Sequence, residues 1–132
     1  MKKILILGSA GMLGHVVCKY FEGLNSYQVF DASYPSVFRN ESYILDVLDN
    51  KRLIEFFETI SPDIVINCIG ILINGSSADP ANAIYINSYF PHFLSKAIKK
   101  WNGKLIHIST DCMFSGAKGN YSETDFRDAD DT

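Results

Sequence analysis

A chain of 132 residues is long enough for one domain with a sizeable core and short for two. Its 12 Lys and Arg against 15 Asp and Glu leave a net charge of -3 and no basic run longer than a pair, which argues against nucleic acid as a partner. The three cysteines, Cys18, Cys68 and Cys112, are odd in number and lack Cys-x-x-Cys spacing, so neither a disulfide framework nor a zinc site is indicated; reduced thiols in a cytoplasm fit, and no stretch is long enough to span a membrane.

The first predicted element is a buried strand over residues 3–7, whose apolar run stops at Gly8 and Ser9, too soon for the core of a signal peptide. Gly8-Ser9-Ala10-Gly11-Met12-Leu13-Gly14 follows it, and a helix over 12–23 follows that, with Val16, Val17, Tyr20 and Phe21 at helical spacing. An ordinary glycine-rich turn would explain the triplet alone. Between a strand and a helix it reads as a dinucleotide pocket. Gly8 makes the turn, Gly11 lets a pyrophosphate approach the main chain, Gly14 lets the helix pack on the strand, and the helix N-terminus points its N-H groups at the phosphates. A Walker loop is excluded, since no Gly-Lys-Ser or Gly-Lys-Thr occurs.

A second strand over 27–31 closes at Asp31, just over twenty residues after Gly8, where an acid accepts hydrogen bonds from the adenosine ribose hydroxyls. The alternative is a turn or helix-cap aspartate. An acid there repels a 2'-phosphate, which favours NAD over NADP, although Arg39 could reach over. A third strand over 42–45 leads to Asp46 and Val47, candidates for the adenine edge, and Asp49 caps a helix over 50–60 whose Leu53, Phe56, Phe57 and Ile60 share one face. Ser61-Pro62-Asp63 turns the chain into a fourth strand over 63–67.

A long helix over 80–100 and a fifth strand over 104–109 complete the pattern. Pro91 either frees the Asn87 carbonyl within a continuous, kinked helix or starts a new helical segment. From Gly116 onward Glu123, Asp125, Asp128, Asp130 and Asp131 outnumber Lys118 and Arg127, which predicts a loop that loses order toward its end. The alternation of strands and helices predicts an α/β fold: a Rossmann-type doubly wound parallel sheet in the order 3-2-1-4-5, helices on both faces, with ligands at the carboxyl ends of the strands. Residues 1–115 form that domain, and 116–132 an acidic loop or tail.

Three further motifs narrow the reading. Asn67-Cys68-Ile69-Gly70 ends the fourth strand, Ile86-Asn87-Ser88 lies in the long helix, and Ile106-His107-Ile108-Ser109-Thr110-Asp111 ends the fifth. With Gly8-x-x-Gly11-x-x-Gly14 they resemble the extended short-chain dehydrogenase/reductase family, and within it the dTDP-4-dehydrorhamnose reductase group of sugar-nucleotide reductases. The run from Ser109 to Gly116 is the most specific part.

The resemblance implies an NAD- or NADP-dependent reduction of a keto group on a nucleotide-activated sugar. By it, Gly8, Gly11, Met12 and Leu13 contact pyrophosphate, Asp31 the ribose, Asp46 and Val47 the adenine, and Gly70 and Ile71 border the nicotinamide. Thr110 matches the hydroxyl that hydrogen-bonds the substrate carbonyl; Asn87 matches a residue whose backbone carbonyl organises a proton-relay water. Cys112 stands where the group commonly has Tyr, and it reads as a small buried thiol. His15, His92 and His107 are scattered and offer no ligand set.

The family's proton donor, a Tyr-x-x-x-Lys pair, does not occur among these residues; the pair is expected just beyond Thr132. The chain reads either as the N-terminal cofactor part of a reductase, followed by a C-terminal substrate portion and inactive alone, or as a non-catalytic dinucleotide-binding sensor or regulatory module. An interaction domain with an empty pocket is weakest, because the glycines would then serve nothing. Substrate identity and oligomeric state, a homodimer included, are left open by the residues.

Overall fold

The computed structural model describes residues 1–129. β1 (Lys2–Leu7) is the central strand, and its Ile4, Leu5, Ile6 and Leu7 are fully buried. A central strand of a parallel sheet has helices on both faces and no polar side, which explains the unbroken apolar run. β2 (Tyr27–Ser33) and β4 (Ile64–Asn67) flank it, β3 (Tyr43–Ile44) and β5 (Lys104–His107) form the edges, and all pairs are parallel in the order β3-β2-β1-β4-β5. This is the predicted doubly wound sheet.

On one face α1 (Gly14–Glu22) sets Cys18 against Ile4, Ile6 and Ile66. On the other, α2 (Asn50–Ile60) contributes Leu53, Phe57 and Ile60 to a cluster with Leu5, Leu7 and Val65. Asp49 caps α2 as expected, its carboxylate accepting from the Arg52 amide at 3.0 Å. Phe57 and Phe90 are fully buried, each worth about 2–3 kcal/mol relative to exposure.

Several predicted boundaries move. β2 runs two residues past Asp31, so that Asp31 lies inside the sheet in register with Ile6 and does not close the strand. α1 starts at Gly14, with Met12 and Leu13 in the preceding turn, and β3 and β5 are shorter than predicted. The helix predicted over 80–100 is a series: α4 (Pro80–Ile84), a π-helical turn (Tyr85–Tyr89), α5 (Phe90–Ile98) and a 3-10 turn (Lys99–Trp101), preceded by an unpredicted α3 (Ile73–Ala78). Of the two outcomes open at Pro91, the helix is continuous: the backbone stays right-handed helical over 80–98, and Pro91 follows directly on a π-helical turn in which the Phe90 amide reaches back five residues to the Tyr85 carbonyl.

Residues 116–129 hold neither helix nor strand, yet their acids are not a self-repelling tail. Asp128 accepts from the Ser115 amide at 2.9 Å and hydroxyl at 2.7 Å and from the Tyr121 hydroxyl at 3.0 Å. Asp125 takes the Lys118 ammonium and the Ser122 amide. The Lys118 contact first, then Ser122, holds the Asp125 carboxyl below its ordinary value; the Ser115 amide and hydroxyl do the same for Asp128. Phe114 stacks on Tyr121 with ring centroids 4.6 Å apart. Asp130 and Asp131 of the predicted tail lie outside the described residues.

Candidate functional site

The glycine run turns the chain sharply off the end of β1. Gly8 has φ +83°, a left-handed conformation costly for any residue with a Cβ. Gly14 is required for a different reason: a Cβ there would lie 2.1 Å from the Gly8 carbonyl oxygen, so only glycine lets α1 start this close to β1. The Gly8 and Ser9 amides are bonded to the Ala32 carbonyl and that of Gly11 to Gly8. Among the described residues, the amides of Ala10, Met12, Leu13 and Gly14 have no protein acceptor. Unclaimed N-H groups at a helix start suit anionic oxygen.

Beside them opens a cavity of about 370 Å³, lined by Gly8, Ala10 and Gly11, by Ser33, Tyr34 and Ser36, by Leu45, Asp46 and Val47, and by Cys68, Ile69 and Gly70. The ends of β1, β2 and β4 and the segment after β3 thus converge where the strand order reverses. Of the sequence-predicted residues, Gly8, Gly11, Asp46, Val47 and Gly70 meet here. Met12, Leu13, Gly14 and Ile71 border the cavity in sequence without lining it. The Asp46 carboxylate accepts from the Leu48 amide at 3.0 Å.

Asp31 is held by its own neighbours. Its side chain is fully buried, and both carboxylate oxygens are taken: Oδ1 accepts from Arg39 Nε at 2.8 Å and Nη2 at 2.6 Å, and Oδ2 from the Ser42 hydroxyl. Asp31 is not among the residues that line the cavity, whereas Ser33, Tyr34 and Ser36 are. Those three were missed because the predicted strand stopped too early; the signal available was Ala32-Ser33, which continues the strand to the Pro35 turn. Burial first, and the Asp31 charge second, push the neighbouring Cys18 thiol up to about 12.

Asn87, in the π-helical turn, clasps the segment after β4: its Oδ1 accepts from the Ile71 amide at 2.8 Å and its Nδ2 donates to the Ile71 carbonyl at 2.9 Å. Asn67, fully buried, places its amide nitrogen 3.1 Å from Nδ1 of His107 across β4 and β5, and its Oδ1 accepts from the Ile69 amide. Burial lowers the His107 pKa.

Thr110 lies elsewhere, in the wall of a second cavity of about 460 Å³ with Ser109, Asp111, Phe114, Tyr121 and Arg127. Its Oγ1 accepts from the Cys112 amide at 3.1 Å, which leaves the hydroxyl proton free to donate. Cys112 is exposed, contrary to the buried thiol expected: it lies in a turn beyond the end of β5, outside both core clusters.

Residues 1–128 match the RmlD substrate binding domain family. The chain belongs to that family. Among relatives of this RmlD-type chain, the dTDP-4-dehydrorhamnose reductase of Aggregatibacter actinomycetemcomitans is 25% identical over 127 residues, covering 95% of this chain and 40% of the relative. A crystal structure of a hypothetical dTDP-4-dehydrorhamnose reductase from Sulfolobus tokodaii superposes with a TM-score of 0.87 at 30% identity, covering 99% of this chain and 47% of that one. The dTDP-4-dehydrorhamnose reductase of Bacillus anthracis, solved in complex with NADP, gives a TM-score of 0.70 at 26% identity, over 89% and 39% of the respective chains. The RmlD-type chain thus spans less than half the length of each of these proteins.

Proposed function

We propose that this chain is the nicotinamide-dinucleotide-binding part of a reductase that acts on a keto group of a nucleotide-activated sugar. The observation that carries the proposal is the cavity at the reversal of strand order, with the unclaimed amides of Ala10, Met12, Leu13 and Gly14 beside it in a chain of the RmlD family. The cradle fits the group: at Gly8 a Cβ would meet Ile69 Cγ1 at 2.9 Å, so the loop is built around absent side chains. Glycine-loop amides hold the pyrophosphate, Asp46 and Val47 the adenine, and Gly70 and Ile71 border the nicotinamide.

When bound, a nicotinamide dinucleotide supplies a hydride to a carbonyl carbon. Thr110 then donates its hydroxyl proton in a hydrogen bond to the carbonyl oxygen, whose negative charge grows during transfer, without placing a charge there beforehand. Asn87 holds Ile71, and so the nicotinamide border, to the helix. No Tyr-x-x-x-Lys pair occurs in these residues to deliver the proton, so the chain by itself binds dinucleotide and does not turn over. Thr110 and Asn87 favour this reading over the second, a non-catalytic dinucleotide-binding regulatory module, which needs neither.

Calorimetric titration with NADH tests the proposal: saturable binding supports it, and no heat at concentrations of about 1 mM, where binding is worth only about 4 kcal/mol, overturns it. Oxidation of NADH by the 132-residue chain in the presence of a 4-keto sugar nucleotide would overturn the claim that it is inactive alone.

A further inference from the structure

Asn67 and His107 stand side by side at the carboxyl ends of β4 and β5, paired in register on the sheet face that also carries Val65 and Leu105. Which of their atoms donates is fixed by a third group. The Ile69 amide only donates, so the Asn67 atom it meets at 3.1 Å is the carbonyl oxygen Oδ1, and the atom turned to His107, also at 3.1 Å, is the nitrogen Nδ2. Nδ2 is a donor, so Nδ1 of His107 must accept. The ring is therefore neutral, with its one proton on Nε2. His15 shows the opposite case: its Nδ1 lies 2.9 Å from the Gly11 carbonyl oxygen, which only accepts, so there the proton sits on Nδ1.

The pair joins the two cavities. Ile69 lines the one beside the glycine loop, and Thr110, three residues beyond His107, lines the other. The main-chain oxygen of Asn67 also accepts from the Ile108 amide at 3.1 Å, so one fully buried residue holds both the segment that leads to Thr110 and the wall that carries Ile69. A second proton on His107 sets Nδ1-H against the Nδ2 hydrogens of Asn67. Turning the Asn67 amide over satisfies the imidazolium but sets Nδ2 against the Ile69 amide. One bond is lost either way, at β5 or at the cavity wall, and a buried donor without an acceptor is costly. Few other charges act on the ring. β4 has no titratable side chain, and the Cys68 thiol after it is pushed up by burial; α5, packed on β5, bears His92 and Lys96, and Lys104 opens β5, yet burial is the cause of the His107 shift.

We propose that Asn67 and His107 are positioning residues for the reaction proposed above: with His107 neutral they hold the Thr110 segment against the Ile69-Gly70 wall, and a proton on Nδ1 releases that hold as pH falls below neutrality. What the pair regulates rests on that reading; how it acts rests on the hydrogen bonds alone.

Nitrogen NMR of the 132-residue chain tests the pair, with His107→Gln assigning the His107 ring. Near neutral pH the proton of His107 sits on Nε2 and that of His15 on Nδ1. As pH falls, the backbone amides of Ile69 and Thr110 shift with one shared midpoint, the one at which the His107 ring takes its second proton. In His107→Gln, whose amide oxygen accepts from Nδ2 at any pH, neither amide follows. In Asn67→Asp the introduced carboxylate accepts from the Ile69 amide and from an imidazolium together, so the shared midpoint moves up by about one pH unit. His107→Gln decides alone if circular dichroism shows Asn67→Asp unfolded. NAD+ affinity of the parent weakens about fivefold between about pH 7.5 and 5.5, and that of His107→Gln stays level. A proton on Nδ1 of His107 near neutral pH, different midpoints for Ile69 and Thr110, or equal pH responses of parent and His107→Gln overturns the proposal. A parent chain that binds no NAD+ at any pH overturns the cofactor reading instead, and the amide midpoints still judge the pair.

Discussion

Asn87 holds the backbone of Ile71 at both its polar atoms, accepting from the amide and donating to the carbonyl across sixteen residues of sequence. The pair ties the π-helical turn to the segment after β4, and one amide side chain performs both roles because it carries a donor and an acceptor side by side.

Asn87→Asp keeps the acceptor and sets a carboxylate oxygen against the Ile71 carbonyl, while Asn87→Ala removes both bonds. Each bond is worth about 1 kcal/mol, so urea unfolding of Asn87→Ala shows a loss of about 1–2 kcal/mol. NADH affinity falls in both variants, further in Asp than in Ala. Equal affinity in parent and Asp would refute the placement of Ile71 at the nicotinamide border.

Gly14→Ala places a methyl group 2.1 Å from the Gly8 carbonyl oxygen, and the obstacle is backbone that has nowhere to move. Overpacking of this kind costs about 1–3 kcal/mol or more, and the helix must tilt off β1. A lower urea midpoint together with loss of NADH binding is the expected result; a fully stable variant would contradict the described junction of β1 and α1.

Asp31→Ala leaves Arg39 facing a cavity where its buried partner stood. Arg39 keeps Glu22 and is itself partly exposed, so the loss is chiefly that of the hydrogen bonds to the buried carboxylate, each worth about 1.5–3 kcal/mol, and the variant is destabilised whichever dinucleotide is present. Thermal melting measures it, and a change below about 1 kcal/mol would mean that the carboxylate is reached by water.

His107 gives the chain a pH dependence near neutrality. Its ring lies against Asn67 and burial lowers its pKa below 6.5, so folding favours the neutral form. The stabilisation is complete above the unfolded value and is lost as pH falls through the lower folded value. Urea midpoints measured from pH 7.5 down to 5 fall in the parent and fall less in His107→Gln; parallel curves would remove His107 as the cause.

The fold was legible because a parallel sheet writes itself as apolar runs separated by helical spacing. β1 with Ile4 to Leu7, the face of α2 carrying Leu53, Phe57 and Ile60, and the Asp49 cap all stand where pattern alone puts them. The π-helical turn was not legible, since Pro91 permits two backbone solutions and only the packing of Ile86 and Phe90 against the sheet selects one. The loop over 116–129 was legible from composition, but its internal bonds were not, because composition counts charges and says nothing of the Ser115, Tyr121 and Lys118 donors that receive them.

By itself the sequence determined the strand order, the glycine junction between β1 and α1, and the location of a cavity at the carboxyl ends of the strands, since these follow from periodicity and from steric limits local to a few residues. Only the tertiary structure decided what Asp31 does. Its burial depends on where β2 ends and on Arg39 and Glu22 arriving from a loop and from the far end of a helix, and partners brought together by packing leave no local pattern in the chain.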